Sequence, residues 1–376
     1  MTDRTNWHDA PASVGDAISA IDTPALVIDL DAFEHNLRTV HSRVKDAKVA
    51  LRAHGKAHKC PDIARIQVAA GAQGVCCQKA SEAQVFVEAG ITDVLITNEI
   101  VGVSKAERVA RLARQARIGL CVDAPFHVAQ IAHAARTAGS TVEIYIEIDV
   151  GQSRCGVHTI DQALELARLI AAEAPSLRFM GLHAYHGASQ HIRDPAQRSA
   201  TVLASVDTVR TYIDSLAAAG YACAVVSGGG TGTYDLVAAS AVYTEVQPGS
   251  YVLMDRDYAL NHLAPGEAEL RQALYGLCTV ISVSPTHAVL DGGLKTFAVD
   301  SGLPRMVLDG WTVKSISDEH TVITPSGDAP DLQVGDKVRL VPGHCDPTVN
   351  LHDWLIALRG QIVENVWPVS ARGALF

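Results

Sequence analysis

The feature that most constrains the fold of this chain is a regular alternation of short apolar runs and longer helical patterns between residue 25 and about residue 255. Eight of the runs are rich in β-branched residues and are predicted as strands: LRAH (51–54), GVCC (74–77), DVLIT (93–97), IGLCVD (118–123), VEIYIEID (142–149), FMGLHAY (179–185), AVVSG (224–228) and TEVQ (244–247). Strands that alternate with helices form parallel sheets. Eight such units predict a (β/α)8 TIM barrel, and a doubly wound open sheet is the alternative.

Each predicted strand ends in, or is followed by, a polar or reactive side chain, and this favours the barrel. These residues are Lys56, Gln78, Asn98, Asp123, Asp149, Tyr185, Ser227 and Gln247. Barrel enzymes place their chemistry at the C-terminal ends of the strands, so we expect these residues on one face. The barrel is predicted to span residues 25–264.

The pattern changes near residue 265, where short strands joined by tight turns replace the βα units. The predicted strands are CTVISVS, HAVLDGG, WTVKSIS, HTVITPSG, DKVRLVPG, WLIALRG and QIVENVWPVS. We expect a C-terminal all-β domain of residues 265–376, joined by residues 1–24. Because the run ALVIDL precedes the first barrel unit, an alternative boundary assigns residues 1–30 to this domain.

The charge balance excludes several classes of partner. The 376 residues carry 31 Lys and Arg against 41 Asp and Glu, a formal net charge of −10. An acidic chain is a poor match for a nucleic-acid backbone or an anionic membrane, which leaves a small molecule as the expected partner. The start, MTDRTNWHDAP, lacks the charged and apolar regions of a secretory signal, and no apolar segment is long enough to span a membrane. We therefore predict a cytoplasmic protein.

Lys56 is a candidate catalytic residue because it lies just past the first predicted strand, in R-A-H-G-K-A-H-K. A lysine that is desolvated beside other cations has a lowered pKa and can form a Schiff base with a carbonyl. The neighbouring residues are His54, His58 and Lys59. The alternative interpretation is a basic loop that faces solvent.

A glycine-rich segment follows the seventh predicted strand, at a frequent phosphate-binding position of barrels. It reads Ser227-Gly228-Gly229-Gly230-Thr231-Gly232, and glycines let backbone N–H groups approach an anion closely. After the eighth strand, Gly249, Ser250 and Tyr251 offer further N–H and hydroxyl donors. A lysine opposite a phosphate site suggests pyridoxal 5′-phosphate, held at both ends.

A candidate metal pair lies near the C-terminus, in Pro342-Gly343-His344-Cys345-Asp346-Pro347-Thr348. On an extended segment, His344 and Asp346 would face the same side. An imidazole and a carboxylate with open coordination positions suit Mn²⁺, Zn²⁺ or Mg²⁺ as a Lewis acid. The alternative is a hydrogen-bonded surface turn, because two ligands do not complete a metal site.

Arg154 and a group of four side chains near the end of the sixth strand have roles that the sequence alone leaves open. Arg154, beyond the fifth strand, could pair with the cofactor phenolate or form a structural salt bridge. One of the side chains His183, Tyr185, His186 and His191 could act as a general base, with the others forming the wall of the site.

Several segments together resemble the D-threonine aldolase and 3-hydroxy-D-aspartate aldolase family, within the fold-type III, alanine-racemase-like pyridoxal phosphate enzymes. They are T-P-A-L-V-I-D-L (23–30), R-A-H-G-K-A-H-K (52–59), G-V-C-C-Q-K-A-S-E-A (74–83), G-Q-S-R-C-G-V (151–157), H-A-Y-H-G (183–187), S-G-G-G-T-G (227–232) and G-H-C-D-P-T (343–348). The resemblance implies an alanine-racemase-type barrel with a β domain, a homodimer, bound pyridoxal phosphate and a divalent metal, with manganese favoured.

The resemblance also implies roles for individual residues. Lys56 matches the Schiff-base lysine, and His191 matches a histidine near the substrate hydroxyl. His344 and Asp346 match the metal pair. The positions that match cofactor-binding residues are Gln78, Arg154, Tyr185, Ser227, Gly228, Gly229, Gly230, Thr231, Gly249, Ser250 and Tyr251. Related dehydratases typically read His-x-Cys at the metal pair, so His-x-Asp favours an aldolase.

The expected reaction is therefore retro-aldol cleavage of a small-molecule D-3-hydroxy-amino acid, with D-threonine giving glycine and acetaldehyde. The alternatives are cleavage of 3-hydroxy-D-aspartate to glycine and glyoxylate, dehydration of D-serine or hydroxyaspartate, and a non-catalytic pyridoxal phosphate carrier. Hydroxyaspartate requires a cation for its second carboxylate, and Arg256, Lys314, Arg372 or a histidine could supply one.

Overall fold

The computed structural model of the protein describes residues 9–376. Its strands are β1 (Ala25–Asp29), β2 (Ala50–His54), β3 (Gly74–Cys77), β4 (Asp93–Ile96), β5 (Arg117–Val122), β6 (Val142–Glu147), β7 (Leu177–His183), β8 (Val225–Gly228), β9 (Glu245–Val246), β10 (Leu274–Val283), β11 (Ala288–Leu290), β12 (Arg305–Met306), β13 (Trp311–Ile316), β14 (Thr321–Pro325), β15 (Lys337–Val341), β16 (Trp354–Arg359) and β17 (Ile362–Pro368).

The helices are α1 (Leu30–Asp46), α2 (Pro61–Ala69), α3 (Ala80–Glu88), α4 (Val103–Leu112), α5 (Pro125–Ala138), α6 (Ile160–Ala172), α7 (Pro195–Ala218), α8 (Tyr234–Ala239), α9 (Arg256–Ala259) and α10 (Cys345–Val349). Four short 3₁₀ helices cover Ile18–Ala20, Gly55–Ala57, Ala188–His191 and Ser250–Val252. None of the helices within residues 9–376 is long and apolar enough to cross a membrane.

Strands β2 to β9 form a closed parallel barrel, which confirms the predicted fold class. The barrel closes where β9 pairs with β2, with Ala50 opposite Glu245 and Leu51 opposite Val246. Every residue of β6 is buried, because the barrel interior covers one face and helices cover the other. The ends of β2, β7, β8 and β9 therefore meet at one mouth, where the chemistry of a barrel enzyme lies.

The second sheet has nine strands and includes β1. Its main path runs β13-β14-β11-β10-β1-β16-β17, while β15 pairs with β10 and with β12. Strand β1 lies antiparallel to β10 and parallel to β16. The all-β domain is thus present, but residues 25–29 lie in its sheet and not in a barrel that starts at residue 25. The topology follows the alternative boundary near residue 30; residues 1–8, at the start of that predicted segment, lie outside the described residues.

Strand β1 is apolar from Ala25 to Ile28 because its two faces contact different cores. Leu26 and Ile28 belong to the main core around the barrel, whereas Ala25 and Val27 pack with Leu277 and other residues of the β domain. Successive strand residues point to opposite faces, so one continuous apolar run serves both domains. The next helix, α1, begins where the Asp29 carboxylate accepts hydrogen bonds from the backbone N–H groups at the helix start.

Candidate active site

Lys56 lies in the 3₁₀ helix directly after β2, at the barrel mouth. Its backbone N–H donates to Nδ1 of His54 over 3.4 Å, which fixes the turn. Its ammonium nitrogen lies 3.9 Å from Oδ2 of Asp346 in the β domain. The structure therefore brings together the predicted Schiff-base lysine and one member of the predicted metal pair.

The expected lowering of the Lys56 pKa is wrong for this chain. Burial acts to lower the pKa of Lys56, but the neighbouring oxygens of Tyr185 and Asp346 raise it more, so the net shift is upward. The nearby imidazole of His54 does not act as a cation, because burial holds the pKa of His54 well below its usual range. Sequence proximity suggested cationic neighbours, whereas the fold places oxygen atoms beside the ammonium group.

Gln78 joins a hydrogen-bonded group beside Lys56. Its Nε2 donates to Oγ1 of Thr97 over 3.0 Å and lies 3.0 Å from Nε2 of His54. The His54 ring is also 3.1 Å from the Thr97 hydroxyl. These contacts link the ends of β2, β3 and β4 and hold the predicted cofactor-lining amide in place.

Arg154 and Tyr185 face each other at the same mouth. The guanidinium carbon of Arg154 lies 5.8 Å from the centre of the Tyr185 ring. One of its nitrogens is 3.8 Å from Oε1 of Glu147, and the side chain is 47% exposed. A long, half-exposed ion pair leaves guanidinium donors available, so the predicted contact with a cofactor oxygen and the structural salt bridge are compatible.

The glycine-rich loop after β8 has the features of an anion cradle. A Cβ on Gly228 would overlap the carbonyl oxygen of Ala184, and Gly229 has a φ of +71°, so both positions require glycine. Within residues 9–376, the hydroxyl of Thr231 has no hydrogen-bond partner although the residue is only 7% exposed. A buried hydroxyl without a partner is costly, and a bound phosphate would accept its hydrogen bond. The loop therefore fits the phosphate of the predicted cofactor.

Two predicted phosphate donors point elsewhere. The Ser227 hydroxyl donates to Oε1 of Glu245 over 2.5 Å inside the barrel. The Tyr251 hydroxyl lies 3.0 Å from Nε2 of His41 and accepts from Nε2 of Gln67, so it points toward α1 and α2. Only the backbone groups of these two residues remain for an anion at the loop.

Gly249 and Ser250 connect the candidate phosphate region to the metal pair. A Cβ on Gly249 would lie 2.8 Å from the carbonyl oxygen of His54, so the segment packs directly against the lysine turn. The Ser250 hydroxyl donates to Oδ1 of Asp346 over 3.1 Å. The end of β9 thus contacts both the lysine segment and the β domain.

The segment that carries the metal pair is not extended as expected. His344 is the N-cap residue of α10, and Asp346 lies in the first turn of that helix. The helix forms here because the Asp255 carboxylate accepts from the backbone N–H of Cys345 over 2.8 Å, and the Thr348 hydroxyl donates to the His344 carbonyl over 2.7 Å. A helix start still places His344 and Asp346 at the same end of the element.

The donor atoms of the pair suit a divalent metal. Nδ1 of His344 lies 2.7 Å from Oδ2 of Asp300, which leaves Nε2 available as a ligand. Burial acts to lower the pKa of His344, but the carboxylates of Asp346, Asp300 and Asp255 raise it more. A positively charged group is thus favoured at this point, and an imidazole beside several carboxylates fits Mn²⁺, Zn²⁺ or Mg²⁺.

Two other groups of metal-type ligands occur among the described residues, and neither includes His344 or Asp346. One consists of Cys121, Glu147 and His183, and the other of Glu99, Asp123 and Cys155. In the first group His183 is already paired with Glu147 at 3.2 Å and lies 3.2 Å from Oε1 of Gln247. This buried imidazole is therefore a wall residue of the barrel.

His191 lies at the end of the 3₁₀ helix Ala188–His191. Its Nδ1 is 2.5 Å from Oδ2 of Asp257, and its ring centre is 5.2 Å from that of Tyr258. Burial and the nearby oxygens of Tyr185 and Asp346 raise the pKa of Tyr258 well above its usual range. Through Tyr258, His191 is therefore next to the group that contains Lys56 and Asp346.

Sequence reasoning missed Asp255, Asp257 and Tyr258. They lie in M-D-R-D-Y (254–258), a polar segment shortly after the last barrel strand. The clustering of charge after a barrel strand is the signal that could have identified them. The intervening Arg256 donates to the Leu303 carbonyl over 2.7 Å, and its backbone N–H donates to Pro342.

Comparison with known proteins identifies the family of this chain. Residues 28–257 match the family described as "Alanine racemase, N-terminal domain", and residues 273–358 match the "Putative serine dehydratase domain". A D-threonine aldolase from Arthrobacter sp. is 45% identical over 367 residues, which cover 96% of each chain. A 3-hydroxy-D-aspartate aldolase from Paracoccus denitrificans (strain Pd 1222) is 45% identical over 375 residues, 97% of this chain and 96% of the relative.

Solved structures show the same similarity. The crystal structure of D-threonine aldolase from Filomicrobium marinum superposes with a TM-score of 0.95 at 44% identity, covering 98% of this chain and 100% of that one. D-threo-3-hydroxyaspartate dehydratase from Delftia sp. HT23 has a TM-score of 0.83 at 27% identity, covering 94% and 98% of the two chains. The chain therefore belongs to the D-threonine aldolase and 3-hydroxy-D-aspartate aldolase family of alanine-racemase-like enzymes, which are carbon–carbon lyases.

Proposed function

We propose that this protein is a pyridoxal phosphate- and divalent-metal-dependent aldolase that cleaves D-threonine to glycine and acetaldehyde. The observation that carries the proposal is the distance of 3.9 Å between Nζ of Lys56 and Oδ2 of Asp346. One site thereby contains an amine that can bind a carbonyl and a carboxylate that can bind a metal. The similarity to a D-threonine aldolase over 96% of the chain supports the same substrate class.

The site residues have distinct roles in this proposal. Lys56 would hold the cofactor, Gln78, Arg154 and Tyr185 would line its ring, and the glycine loop with Thr231 would bind its phosphate. His344 and Asp346 would hold the metal. When bound, pyridoxal phosphate accepts the electron pair of a breaking bond at Cα, and a divalent metal acidifies a hydroxyl that it contacts.

Side chains of the protein carry out the proton transfers in this proposal. Nε2 of His191 accepts the proton of the substrate 3-hydroxyl, and the electron pair of that O–H bond forms the aldehyde C=O bond. The Cα–Cβ bond then breaks, its electron pair remains on the Cα side, and protonation of Cα gives glycine. General bases contribute about 10² to 10⁴-fold to such steps.

A second candidate substrate is 3-hydroxy-D-aspartate, which would give glycine and glyoxylate. Among the side chains considered for its second carboxylate is Arg256, whose guanidinium donates to the Leu303 carbonyl over 2.7 Å. Its backbone N–H donates to the carbonyl of Pro342, in the segment that precedes the metal pair. Arg372 donates to the Asp353 carboxylate over 2.6 Å, and Lys314 lies on β13 of the β domain. We expect Arg256→Ala to lower kcat/KM for hydroxyaspartate about tenfold and to leave D-threonine cleavage within about twofold.

The test is the release of glycine and aldehyde from each substrate by the protein loaded with pyridoxal phosphate and Mn²⁺. Glycine formation that stops on addition of a chelator and returns with Mn²⁺ supports the metal-assisted aldolase. Ammonia and a keto acid would instead indicate a dehydratase. Cofactor binding without turnover of either substrate would indicate the carrier. We also propose a homodimer, which sedimentation of the loaded protein would test.

A further inference from the structure

The imidazole of His191 is held from one side by a carboxylate that the sequence analysis did not identify. Nδ1 of His191 lies 2.5 Å from Oδ2 of Asp257, within hydrogen-bonding distance. An ionised carboxylate can only accept a hydrogen bond. In the neutral ring, Nδ1 must therefore carry the hydrogen, and Nε2 presents a lone pair.

Asp257 is itself held firmly. The Arg193 guanidinium donates to its carboxylate through Nη2 and to its backbone carbonyl through Nη1, the latter over 2.6 Å. Nη1 of Arg193 also donates to Oδ1 of Asn261 over 2.7 Å, and Nδ2 of Asn261 donates to the carbonyl of Gln190 over 2.8 Å. Gln190 directly precedes His191, so the bonds form a ring between α9 and the 3₁₀ helix.

Two further contacts connect this ring to the candidate catalytic centre. Tyr258 packs its ring against that of His191 at 5.2 Å with a tilt of 37°, which restricts rotation of the imidazole. The side chain of Gln190 accepts from the backbone N–H of Gly232 over 3.1 Å and donates to the Thr233 hydroxyl over 2.9 Å. The position of His191 is therefore fixed relative to the glycine loop as well as to α9.

We infer that Asp257 is a positioning residue for the aldolase reaction, which fixes the ring orientation and tautomer of His191 so that Nε2 faces the substrate 3-hydroxyl. A base oriented by a third group is the arrangement that makes proton transfer efficient. The inference rests on the proposed function, since it requires a substrate hydroxyl to be deprotonated. It adds a residue, Asp257, that acts only through His191.

The alternative is that Asp257 merely stabilises the fold through Arg193. A double-mutant cycle separates the two roles, because residues that act through one another give non-additive losses. The variants are Asp257→Asn, His191→Ala and the double substitution, each loaded with pyridoxal phosphate and Mn²⁺. Asparagine keeps the size of the side chain but removes the charge that selects the tautomer.

We expect Asp257→Asn to lower kcat about 10²-fold with KM changed less than about threefold. In the His191→Ala background, the same substitution should change kcat by less than about threefold, because the ring that it positions is gone. The control Arg193→Gln removes the other partner of Asp257 and should lower kcat by less than about fivefold. Thermal unfolding of all variants identifies any that fail to fold.

The inference would be overturned if the fold losses in kcat of the two single variants multiplied in the double variant. It would also be overturned if Arg193→Gln lowered kcat as much as Asp257→Asn does. If Asp257→Asn failed to fold, the cycle would be repeated with Asp257→Glu, which retains the charge and displaces it. A full loss of kcat in that case supports positioning, and an unchanged kcat contradicts it. Failure of the proposed function is distinguishable, since the wild-type protein would then release no glycine from either substrate.

Discussion

Two groups of polar side chains, one inside the barrel and one at its mouth, differ in the ionic contacts of their arginine and lysine side chains. The interior group is a continuous chain of contacts between Arg52, Glu245, Ser227, Gln247, His183 and Glu147, all of them buried. The mouth group consists of Lys56, Arg154, Tyr185, His344 and Asp346. In it Lys56 and Arg154 make long ionic contacts, 3.9 Å to Asp346 and 3.8 Å to Glu147, whereas His344 lies 2.7 Å from Asp300.

This difference separates residues that hold the barrel together from residues that are free to bind something else. Buried charges must be paired, and the interior charges meet this requirement through the contacts of Arg52 with Glu245 and Asp93 and of His183 with Glu147. At the mouth, the long contacts of Lys56 and Arg154 leave donors available to a ligand, and among residues 9–376 the Thr231 hydroxyl has no hydrogen-bond partner. The comparison predicts that changes at the mouth affect chemistry and changes in the interior affect stability.

The largest expected effect is that of Lys56→Ala on turnover. We expect kcat for D-threonine to fall at least about 10³-fold with the unfolding temperature nearly unchanged, because the residue is proposed to hold the cofactor and has one long ionic contact. Glycine release and cofactor absorbance measure the loss. The control is Lys59→Met: Lys59 is buried and pairs with Glu82 at 2.6 Å, so its loss should lower stability. Substantial turnover by Lys56→Ala would contradict the assignment of the mouth group to chemistry.

In the interior, Arg52→Met should reduce the free energy of unfolding by about 3 kcal/mol or more, because it leaves the Glu245 carboxylate buried without its cation. Denaturant titration measures this quantity. The protein that remains folded should retain its kcat, since Arg52 contacts Glu245 and Asp93 and none of the mouth group. An Arg52→Met variant with normal stability and a lower kcat would instead assign Arg52 to chemistry.

A smaller effect is expected from Asp300→Ala. Asp300 holds Nδ1 of His344, and loss of such a partner typically weakens metal binding 10- to 100-fold, on the order of the values known for other sites. Titration of the chelator-treated protein with Mn²⁺ measures the affinity. Asp353→Ala, which removes an exposed carboxylate that pairs only with Arg372 among the described residues, is the matched control and should leave the affinity unchanged. Equal affinities in the two variants would place the metal elsewhere.

The smallest expected effect concerns Glu99, which interacts with Glu147 of the interior group. Burial and the charges of Glu147 and Asp123 raise the pKa of Glu99 to about 7. Between its ordinary value of 4.5 and 7 the folded chain binds a proton that the unfolded chain releases, so this residue makes stability fall as pH rises through that range. Glu99→Gln should flatten the slope in denaturant titrations from pH 4.5 to 7. The exposed control Glu165→Gln should retain it, and an unchanged slope in Glu99→Gln would contradict the burial effect.

The barrel was predictable because each of its strands is an apolar run bounded by helical patterns, and burial on both faces requires such runs. Strand β12 was not predicted, because its two residues show no periodicity and it lies outside the βα alternation that identified the equally short β9. Helix α10 escaped prediction for another reason: it is started by Asp255, a residue far away in sequence that bonds the N–H of Cys345.

The residue types of the candidate site were predictable from the sequence, whereas the directions of its side chains were less so. The sequence identifies Lys56, His344 and Asp346 because the chemistry of lysine, histidine and aspartate side chains follows from the residue type alone. The side-chain directions of Ser227 and Tyr251 depend on Glu245, His41 and Gln67, which only the fold brings near. Asp257 was missed because its importance comes from a contact with His191, on a different element.

The placement of β1 has a consequence for how the molecule is assembled. This early strand obtains its neighbours only when β10 and β16 exist, since Ala25 pairs with Leu277 and Leu26 with Leu355. Strand pairings between residues far apart in sequence form slowly, so this sheet is completed only when nearly the whole chain is present. Lys56 and Asp346 both lie between β1 and β16 in sequence. A chain that ended before β16 could form the barrel with Lys56 but would lack the complete sheet that holds Asp346 beside it. We therefore expect catalytic activity to appear in a single late step of folding.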